Sequence, residues 1–214
     1  MSTAPAQVAD LDWLALGDSY TIGEGVDPDA RWAAQLARAL RDAGIAVADP
    51  RIVATTGWTT DELAAAIDAE GVDGGFGFVS LAVGVNDQYR GRDVATFRDG
   101  YERLLARAIA FAGMRPRRVL ALSIPDWGAT SFGAASGRDL ARVSREVDAF
   151  NAAAGGACAA AGVAYVDVTA ASREADGDAT MLAADGLHPS AAMYAHWVRL
   201  AFPVARQLLM DAPQ

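Results

Sequence analysis

The chain has 214 residues, of which 52% are apolar and 21% charged, and its formal net charge at pH 7 is -9. This length predicts a single domain over residues 1–214, with an N-terminal tail at residues 1–10. A core of this size needs no disulfide or metal ion to hold it together. The excess of acidic side chains disfavours contact with a phosphate backbone, so no nucleic-acid partner is expected.

Five apolar runs of strand length alternate along the chain with longer segments of helical periodicity. The runs are residues 11–16, 52–54 with a lead-in from 45, 76–83, 119–124 and 163–168. The helical segments are residues 29–43, 60–69, 93–113, 138–161 and 190–209. Because the runs are continuously apolar, both faces of each strand are expected to be buried, as in a parallel sheet covered by helices. The pattern predicts a three-layer α/β/α sandwich with right-handed crossovers.

Polar residues cluster where the predicted strands end. Residues 126–137 lack periodicity and are expected to form one surface loop. Ligands of open parallel sheets bind beyond the carboxyl ends of the strands, so polar turns at these ends are candidate site segments. The polar turns lie at residues 17–20, 55–60, 84–87 and 125–128, and a last one lies at residues 185–190, before the final helical segment.

The chain has two histidines, and their sequence contexts differ. His196 lies inside the last helical segment, where a helix-surface or packing role is expected. His188 follows Asp185 by three residues in a loop that contains a glycine. A carboxylate on the same loop is able to accept the Nδ1 proton and leave Nε2 facing outward. The alternative, that Asp185 only caps a turn, stays open on this local pattern.

Three further residues have the chemistry that an acyl hydrolase needs, namely a nucleophile and donors for an oxyanion. Ser19 follows a Gly-Asp pair and is either a nucleophile or an N-cap or turn residue. Asn86 either aims its amide into a site or occupies a turn. Gly57 has no Cβ in the way of a substrate oxygen that approaches its backbone N–H.

Taken together, these motifs resemble the SGNH hydrolases, also called the GDSL esterase/lipase family. The matching segments are Gly-Asp-Ser-Tyr at 17–20, the lone Gly57, Gly-Val-Asn-Asp at 84–87 and Asp-Gly-Leu-His-Pro at 185–189. Tyr20 stands where many members of the family carry leucine. The resemblance covers about residues 11–209. It implies a flavodoxin-like, five-stranded parallel sheet with strand order 2-1-3-4-5.

The resemblance also implies a role for each motif residue. Ser19 would be the nucleophile, His188 the general base and then acid, and Asp185 the group that orients His188. The oxyanion hole would consist of the N–H groups of Ser19 and Gly57 and the side chain of Asn86. No cofactor is expected. Two histidines eight residues apart, without a nearby acidic pair, do not form a zinc-binding set, so no metal site is expected either.

The expected substrate is a small or short-chain acyl ester, such as an acetyl ester, because the loops are short and include no insertion of lid size. Trp58, Tyr89 and Trp127, with Phe132 beside them, are candidate walls of the acyl or alcohol pocket. Core or loop packing is the alternative for each. Arg90 either contacts an anionic substrate group or is a solvated surface side chain. The sequence makes no prediction of the oligomeric state.

Two other functions compete with that of a short-chain esterase. A lysophospholipase or thioesterase would use the same catalytic residues. A flavin- or nucleotide-binding module would use residues 19–25 for a phosphate, but this segment matches neither G-x-G-x-x-G nor the P-loop. The larger α/β-hydrolase fold is excluded because it needs a G-x-S-x-G elbow, which does not occur in the chain.

The expected location is the reducing cytoplasm. Cys158 is the only cysteine, so an intramolecular disulfide is impossible. The first ten residues contain neither a basic patch nor an apolar run. No stretch approaches the roughly 20 apolar residues that span a bilayer, so no integral membrane segment is expected.

Overall fold

The computed structural model describes residues 10–174 and 178–210, so nearly all of the predicted N-terminal tail lies outside the described residues. Five parallel strands form one sheet in the order β2-β1-β3-β4-β5. The strands are Trp13–Gly17 (β1), Arg51–Ala54 (β2), Phe78–Ala82 (β3), Val119–Leu122 (β4) and Ala164–Val166 (β5). The predicted sheet, its parallel sense and its strand order are confirmed.

Helices cover both faces of this sheet, as the three-layer prediction requires. α2 packs with α9 on one face, and α3, α5 and α7 pack together on the other. The helices are Ser19–Ile22 (α1), Trp32–Asp42 (α2), Thr60–Ala69 (α3), Val85–Tyr89 (α4), Val94–Phe111 (α5), Ser131–Ala135 (α6), Leu140–Ala161 (α7), Thr169–Glu174 (α8) and Ala191–Met210 (α9). Single 3₁₀ turns lie at Pro28–Ala30, Pro116–Arg118, Trp127–Ala129 and Ala179–Met181.

The centre of the sheet forms the core. Every residue of β1, β3 and β4 is buried, which is the burial on both faces that continuously apolar strands predict. Trp13 of β1 packs against the rings of Trp32 and Phe78, with centroids 5.9 and 5.0 Å away. Its indole N–H donates to the Ser80 hydroxyl at 3.1 Å, so the one polar side chain of β3 is satisfied inside the core.

The prediction of one surface loop over residues 126–137 is wrong. This segment contains a 3₁₀ turn and α6, and Asp126 and Trp127 are each only 1% exposed. The Asp126 carboxylate accepts hydrogen bonds from Ser144 Oγ at 2.5 Å and Arg173 Nε at 2.9 Å, which fold the segment onto α7 and α8. Elements of three to five residues are too short to show a helical period, so the pattern gave no sign of them.

The single cysteine lies inside the protein. Cys158 of α7 is fully buried, with its Sγ 3.7 Å from the Tyr101 hydroxyl. Burial raises the pKa of this thiol to about 11, so it stays protonated at neutral pH. Within the described parts of the chain, every helix is too short or too polar to span a lipid bilayer.

Candidate active site

Ser19 stands at the first position of α1, directly beyond the carboxyl end of β1. Asp18 caps this helix, and its carboxylate accepts the N–H of Tyr20 at 3.0 Å. The N–H groups in the first turn of a helix have no partner within the helix, so the Ser19 N–H is free to meet a ligand. Gly17 permits this tight exit, because a Cβ there would lie 2.5 Å from the carbonyl oxygen of Ala82.

Asp18, which directly precedes Ser19, is a buried acid. It is 1% exposed, and burial raises its pKa to about 7, with a further upward contribution from the nearby Asp87 carboxylate. Backbone N–H groups, that of Tyr20 first among them, oppose the rise. Asp18 therefore caps α1 mainly as a neutral acid below pH 7.

Asp185 and His188 form a bonded pair on the loop before α9. His188 Nδ1 lies 2.5 Å from Asp185 Oδ2, and the backbone N–H groups of Leu187 and His188 donate to Oδ1 at 2.9 and 3.0 Å. Burial raises the pKa of Asp185, but these three hydrogen bonds together outweigh it and hold the pKa below its usual value. An ionised carboxylate in this place fixes the ring and leaves Nε2 as its outward nitrogen.

The turn after β2 places Gly57 at the site. Gly57 has φ +89°, a conformation that side chains with a Cβ rarely adopt, and this explains the glycine. Asn86, from the first turn of α4, donates one amide hydrogen to the carbonyl oxygen of Trp58 at 2.9 Å. Its second amide hydrogen is left for a ligand. Gly57 and Asn86, two of the predicted donors of the oxyanion hole, thus belong to segments that are hydrogen-bonded to each other.

Asp87 fixes α4 against the start of α3. Its carboxylate accepts the backbone N–H of Thr60 at 3.0 Å and the Thr60 hydroxyl at 2.8 Å, and Arg92 Nη1 lies 3.3 Å from it. Burial raises the pKa of Asp87, and the bonds from Thr60 oppose this rise. The helix that carries Asn86 is therefore bonded to α3 through the next residue along the chain, Asp87.

One cavity of about 210 Å³ brings most of the predicted site residues together. Ser19, Gly57, Asn86 and His188 all line it, and Asp185 lies behind His188. The remaining lining residues are Tyr20, Thr56, Val85, Tyr89, Trp127, Phe132 and Leu187. In residues 10–174 and 178–210, no three His, Cys, Asp or Glu side chains are grouped to hold a metal ion.

Two of the three predicted pocket aromatics line this cavity. The rings of Tyr89 and Phe132 both meet that of Trp127 edge-on, with ring centroids 5.2 and 6.2 Å away. The Trp127 indole N–H donates to Gln88 Oε1 at 2.7 Å, which sets the orientation of this wall. Trp58 is placed elsewhere: its side chain is half-buried and packs against the core, while its carbonyl oxygen binds Asn86.

α6 is bonded to the loop that carries His188. The Phe132 N–H and the Ser131 hydroxyl both donate to the carbonyl oxygen of Gly186, at 3.0 and 3.1 Å. Gly186 has φ +67°, and a Cβ there would lie 2.3 Å from Ser131 Oγ. The helix that supplies one wall of the cavity and the loop that supplies its histidine are therefore joined at one carbonyl group.

Four lining residues did not emerge from the sequence reasoning, namely Tyr20, Thr56, Val85 and Leu187. Each is a direct neighbour in sequence of a motif residue, or lies between two of them, and this adjacency is the signal that could have found them. Tyr20 packs its ring 5.7 Å from that of His188. Burial raises the pKa of the Tyr20 phenol, so this side chain stays neutral where it lines the cavity next to His188.

Comparison with solved structures gives several matches over nearly the whole chain. TesA matches with a TM-score of 0.69 and 24% identity, covering 92% of this chain and 99% of that one. A lipase/acylhydrolase from Enterococcus faecalis matches with a TM-score of 0.67 and 23% identity, covering 95% and 98%. Axe2, an acetylxylan esterase from Geobacillus stearothermophilus, matches with a TM-score of 0.66 and 18% identity, covering 92% and 94%. These likenesses support the fold.

Sequence comparison identifies the family. The search of curated proteins gives no match to this chain. The model of the GDSL-like lipase/acylhydrolase family matches residues 15–196, which include every motif residue at the cavity. This range is most of the chain and runs from β1 into α9. The chain therefore belongs to the GDSL-like lipase/acylhydrolase family, and it is a carboxylic ester hydrolase.

Proposed function

We propose that the protein is a serine esterase that hydrolyses small or short-chain acyl esters, acetyl esters among them, through a triad of Ser19, His188 and Asp185. One observation carries the proposal: Ser19, His188, Gly57 and Asn86, which lie far apart in sequence, line one cavity. Asp185 Oδ2 lies 2.5 Å from His188 Nδ1, the contact that an orienting carboxylate makes.

The first half of the reaction forms an acyl-enzyme. Ser19 Oγ attacks the ester carbonyl carbon while His188 Nε2 takes the hydroxyl proton, because a serine hydroxyl is a weak nucleophile at neutral pH. Asp185 stabilises the imidazolium that forms and keeps its ring in place. The tetrahedral intermediate then collapses, the ester C–O bond breaks, and His188 returns the proton to the leaving alcohol.

The negative charge of the intermediate is held by three donors. They are the N–H groups of Ser19 and Gly57 and the free amide hydrogen of Asn86. Loss of one such donor costs on the order of 3 kcal/mol in transition-state stabilisation, as much as a general base contributes. A water molecule then repeats the sequence on the acyl-enzyme, gives its proton to His188 and frees Ser19.

The dimensions and lining of the cavity support a small acyl group. Its volume of about 210 Å³ lies below the roughly 300 to 1,000 Å³ of sites that take drug-sized ligands. The rings of Tyr89, Trp127 and Phe132 give part of its lining an apolar surface. Axe2, which shares the fold, is an acetylxylan esterase, and this is consistent with an acetyl substrate.

We further propose that the chain forms one catalytic domain that works in the reducing cytoplasm. The single sheet and its two helical layers support one domain. Cys158 is the only cysteine and has no partner for an intramolecular disulfide, and its buried thiol stays protonated, which is consistent with a reducing compartment.

The decisive test is covalent labelling with a fluorophosphonate, which reacts with activated serines, followed by peptide mass mapping. Cleavage after arginine puts Ser19 in the peptide that ends at Arg31, whose other serine is Ser2. We expect one adduct, on Ser19, and none in Ser19→Ala. Ser131 provides an internal comparison, because its hydroxyl donates to the carbonyl oxygen of Gly186 on the loop of His188, but it does not line the cavity. An adduct on Ser131, or none on an otherwise folded protein, would refute the proposed nucleophile.

A further inference from the structure

Three successive residues of the turn that carries Gly57 each make a hydrogen bond that involves a side chain from another part of the chain. Thr56 donates its hydroxyl hydrogen to Glu24, which lies in the loop after α1. The carbonyl oxygen of Gly57 accepts from Arg90 Nη2 at 2.6 Å. The carbonyl oxygen of Trp58 accepts from Asn86, as described above. Of these three restraints, only the one from Arg90 acts on Gly57 itself.

Arg90 is itself anchored, although its side chain is 46% exposed. Its second terminal nitrogen, Nη1, lies 3.0 Å from Glu62 Oε1. The other oxygen of Glu62 accepts the Thr59 N–H at 2.9 Å, in the capping box that begins α3. The Thr59 N–H and then Arg90 hold the pKa of Glu62 below its usual value, so this carboxylate is ionised at neutral pH. The guanidinium group thus bridges a fixed carboxylate and the Gly57 carbonyl.

Gly57 needs such a restraint because its own conformation is weakly determined. Glycine has more backbone freedom than any other residue. A Cβ built on Gly57 would meet only one atom within 4 Å, Arg90 Nη2 at 3.8 Å, so packing does not confine this residue. Rotation about the Gly57 backbone would carry its N–H away from the cavity, and donors to an oxyanion act only within hydrogen-bond reach of that oxygen.

We propose that Arg90 is a positioning residue: by holding the carbonyl group of Gly57, it limits rotation about the Gly57 backbone and so keeps the Gly57 N–H in the orientation needed by the oxyanion hole. The inference rests on the proposed function, since it assigns Gly57 the role of an oxyanion donor. It differs from both sequence interpretations of Arg90, the solvated side chain and the contact to an anionic substrate. The planar fork of the guanidinium group matches this task because it donates to two acceptors at once.

The test compares Arg90→Met with Arg107→Met. Arg107 is a matched control, because it also bonds one backbone carbonyl, that of Ala64 at 3.1 Å, and one carboxylate of α3, Asp68 at 2.6 Å. We expect Arg90→Met to lower kcat for p-nitrophenyl acetate by at least about tenfold, with KM within about twofold. Its affinity for a trifluoromethyl ketone, which forms a tetrahedral oxyanion on serine, should fall in parallel. Arg107→Met should retain the kcat of the wild type, although its melting temperature should change by about as much as that of Arg90→Met.

The outcomes separate this inference from the proposed function. A folded wild-type protein that neither hydrolyses the ester nor labels at Ser19 overturns both. If the wild type is active and Arg90→Met has the same kcat as Arg107→Met, only the role of Arg90 is overturned. A rise in the KM of Arg90→Met at constant kcat also overturns that role, because it indicates a contact with the substrate. Arg90→Lys keeps the charge but not the fork, so we expect only partial recovery; full recovery would show that charge suffices and would overturn positioning.

Discussion

Asp18, which directly precedes Ser19, is an acid whose ionisation depends strongly on folding. Burial raises its pKa from an ordinary 3.8 to about 7. Between these two values the unfolded chain is ionised at this position while the folded chain is largely not, so a rise in pH favours unfolding. The contribution of Asp18 to stability is thus complete below about pH 4 and is lost as the pH rises to 7.

Asp18→Asn should remove this dependence. Asparagine keeps an oxygen for the Tyr20 N–H and is as good an N-cap as aspartate, but it does not ionise. We expect the free energy of unfolding of the variant, relative to wild type, to rise from pH 4 to pH 7 by at most about 4 kcal/mol. Urea titrations at pH 4, 5.5 and 7 measure this difference.

Asp93→Asn is the matched control for Asp18. Asp93 caps α5 by accepting the Thr96 N–H at 2.9 Å, but it is exposed, and its bonds from the hydroxyl and N–H of Thr96 lower its pKa. Its charge therefore stabilises the folded state above pH 4, and the wild-type advantage should disappear on acidification. If Asp18→Asn and wild type differ in free energy of unfolding by the same amount at all three pH values, Asp18 does not ionise differently in the folded and unfolded states, and the prediction is wrong.

At the scale of elements, α4 connects most parts of the site, although it has only five residues. Asn86 binds the turn after β2, and Asp87 binds the first residue of α3. Gln88 accepts from the Trp127 indole at 2.7 Å and donates to Glu146 of α7 at 2.8 Å. The helix therefore joins the side of the cavity that carries Gly57 and Asn86 to its aromatic wall.

Gln88→Leu should loosen the aromatic wall. The change leaves the buried Trp127 N–H without its acceptor, and a buried unpaired donor costs about 1 to 3 kcal/mol. We expect a loss of stability of this size and a several-fold rise in KM for p-nitrophenyl acetate, because Trp127 lines the cavity. Urea unfolding and steady-state kinetics on the same preparation measure the two effects.

Gln35→Leu provides the comparison for this variant. Gln35 of α2 donates to the carbonyl oxygens of Ala30 and Ala191, at 2.7 and 3.1 Å, and it does not line the cavity. It should lower stability without changing KM. An unchanged KM in Gln88→Leu would mean that packing against Tyr89 and Phe132 is enough to hold Trp127 in place.

Elements with many residues were predictable from the sequence, and short ones were not. The predicted helix at residues 60–69 coincides with α3, because its apolar spacing and the Thr59 and Glu62 capping box agree. α4 and α6 have five residues each, less than two helical turns, so they show no period. They were assigned to turns or to a loop, although they supply Asn86, Tyr89 and Phe132 to the cavity.

At the scale of the whole molecule, the site depends on the parallel sheet. Ser19 follows β1, Gly57 follows β2, Asn86 follows β3 and Trp127 follows β4, and parallel strands bring all these ends to one edge. This convergence was predictable from motif order and strand pattern. The bonds of Arg90 were not, because Glu62 and Gly57 lie 28 and 33 residues away and no local pattern encodes a contact to a backbone carbonyl.

The small volume of the cavity, about 210 Å³, leads to a prediction about acyl chain length. We expect kcat/KM to be highest for acetyl p-nitrophenyl ester and to fall by at least about tenfold for the octanoyl ester, because extra methylenes meet Phe132 and Trp127. The palmitoyl ester should be poorer still. Phe132→Ala, which removes the ring but keeps the backbone bond to Gly186, should shift the profile toward octanoyl. A palmitoyl optimum in the wild type would favour the lysophospholipase or thioesterase alternative.

The carbonyl group of Gly186 limits how this enzyme can be redesigned. It receives two hydrogen bonds from α6, the helix that bears Phe132, and it lies two residues before His188. Side-chain truncation at position 132 leaves this junction intact, whereas inserting or deleting residues in α6, or replacing the helix, would also displace His188, the proposed general base. Broader substrate scope reached by loop grafting at this wall should therefore come with slower turnover, and directed evolution is better aimed at single side chains there.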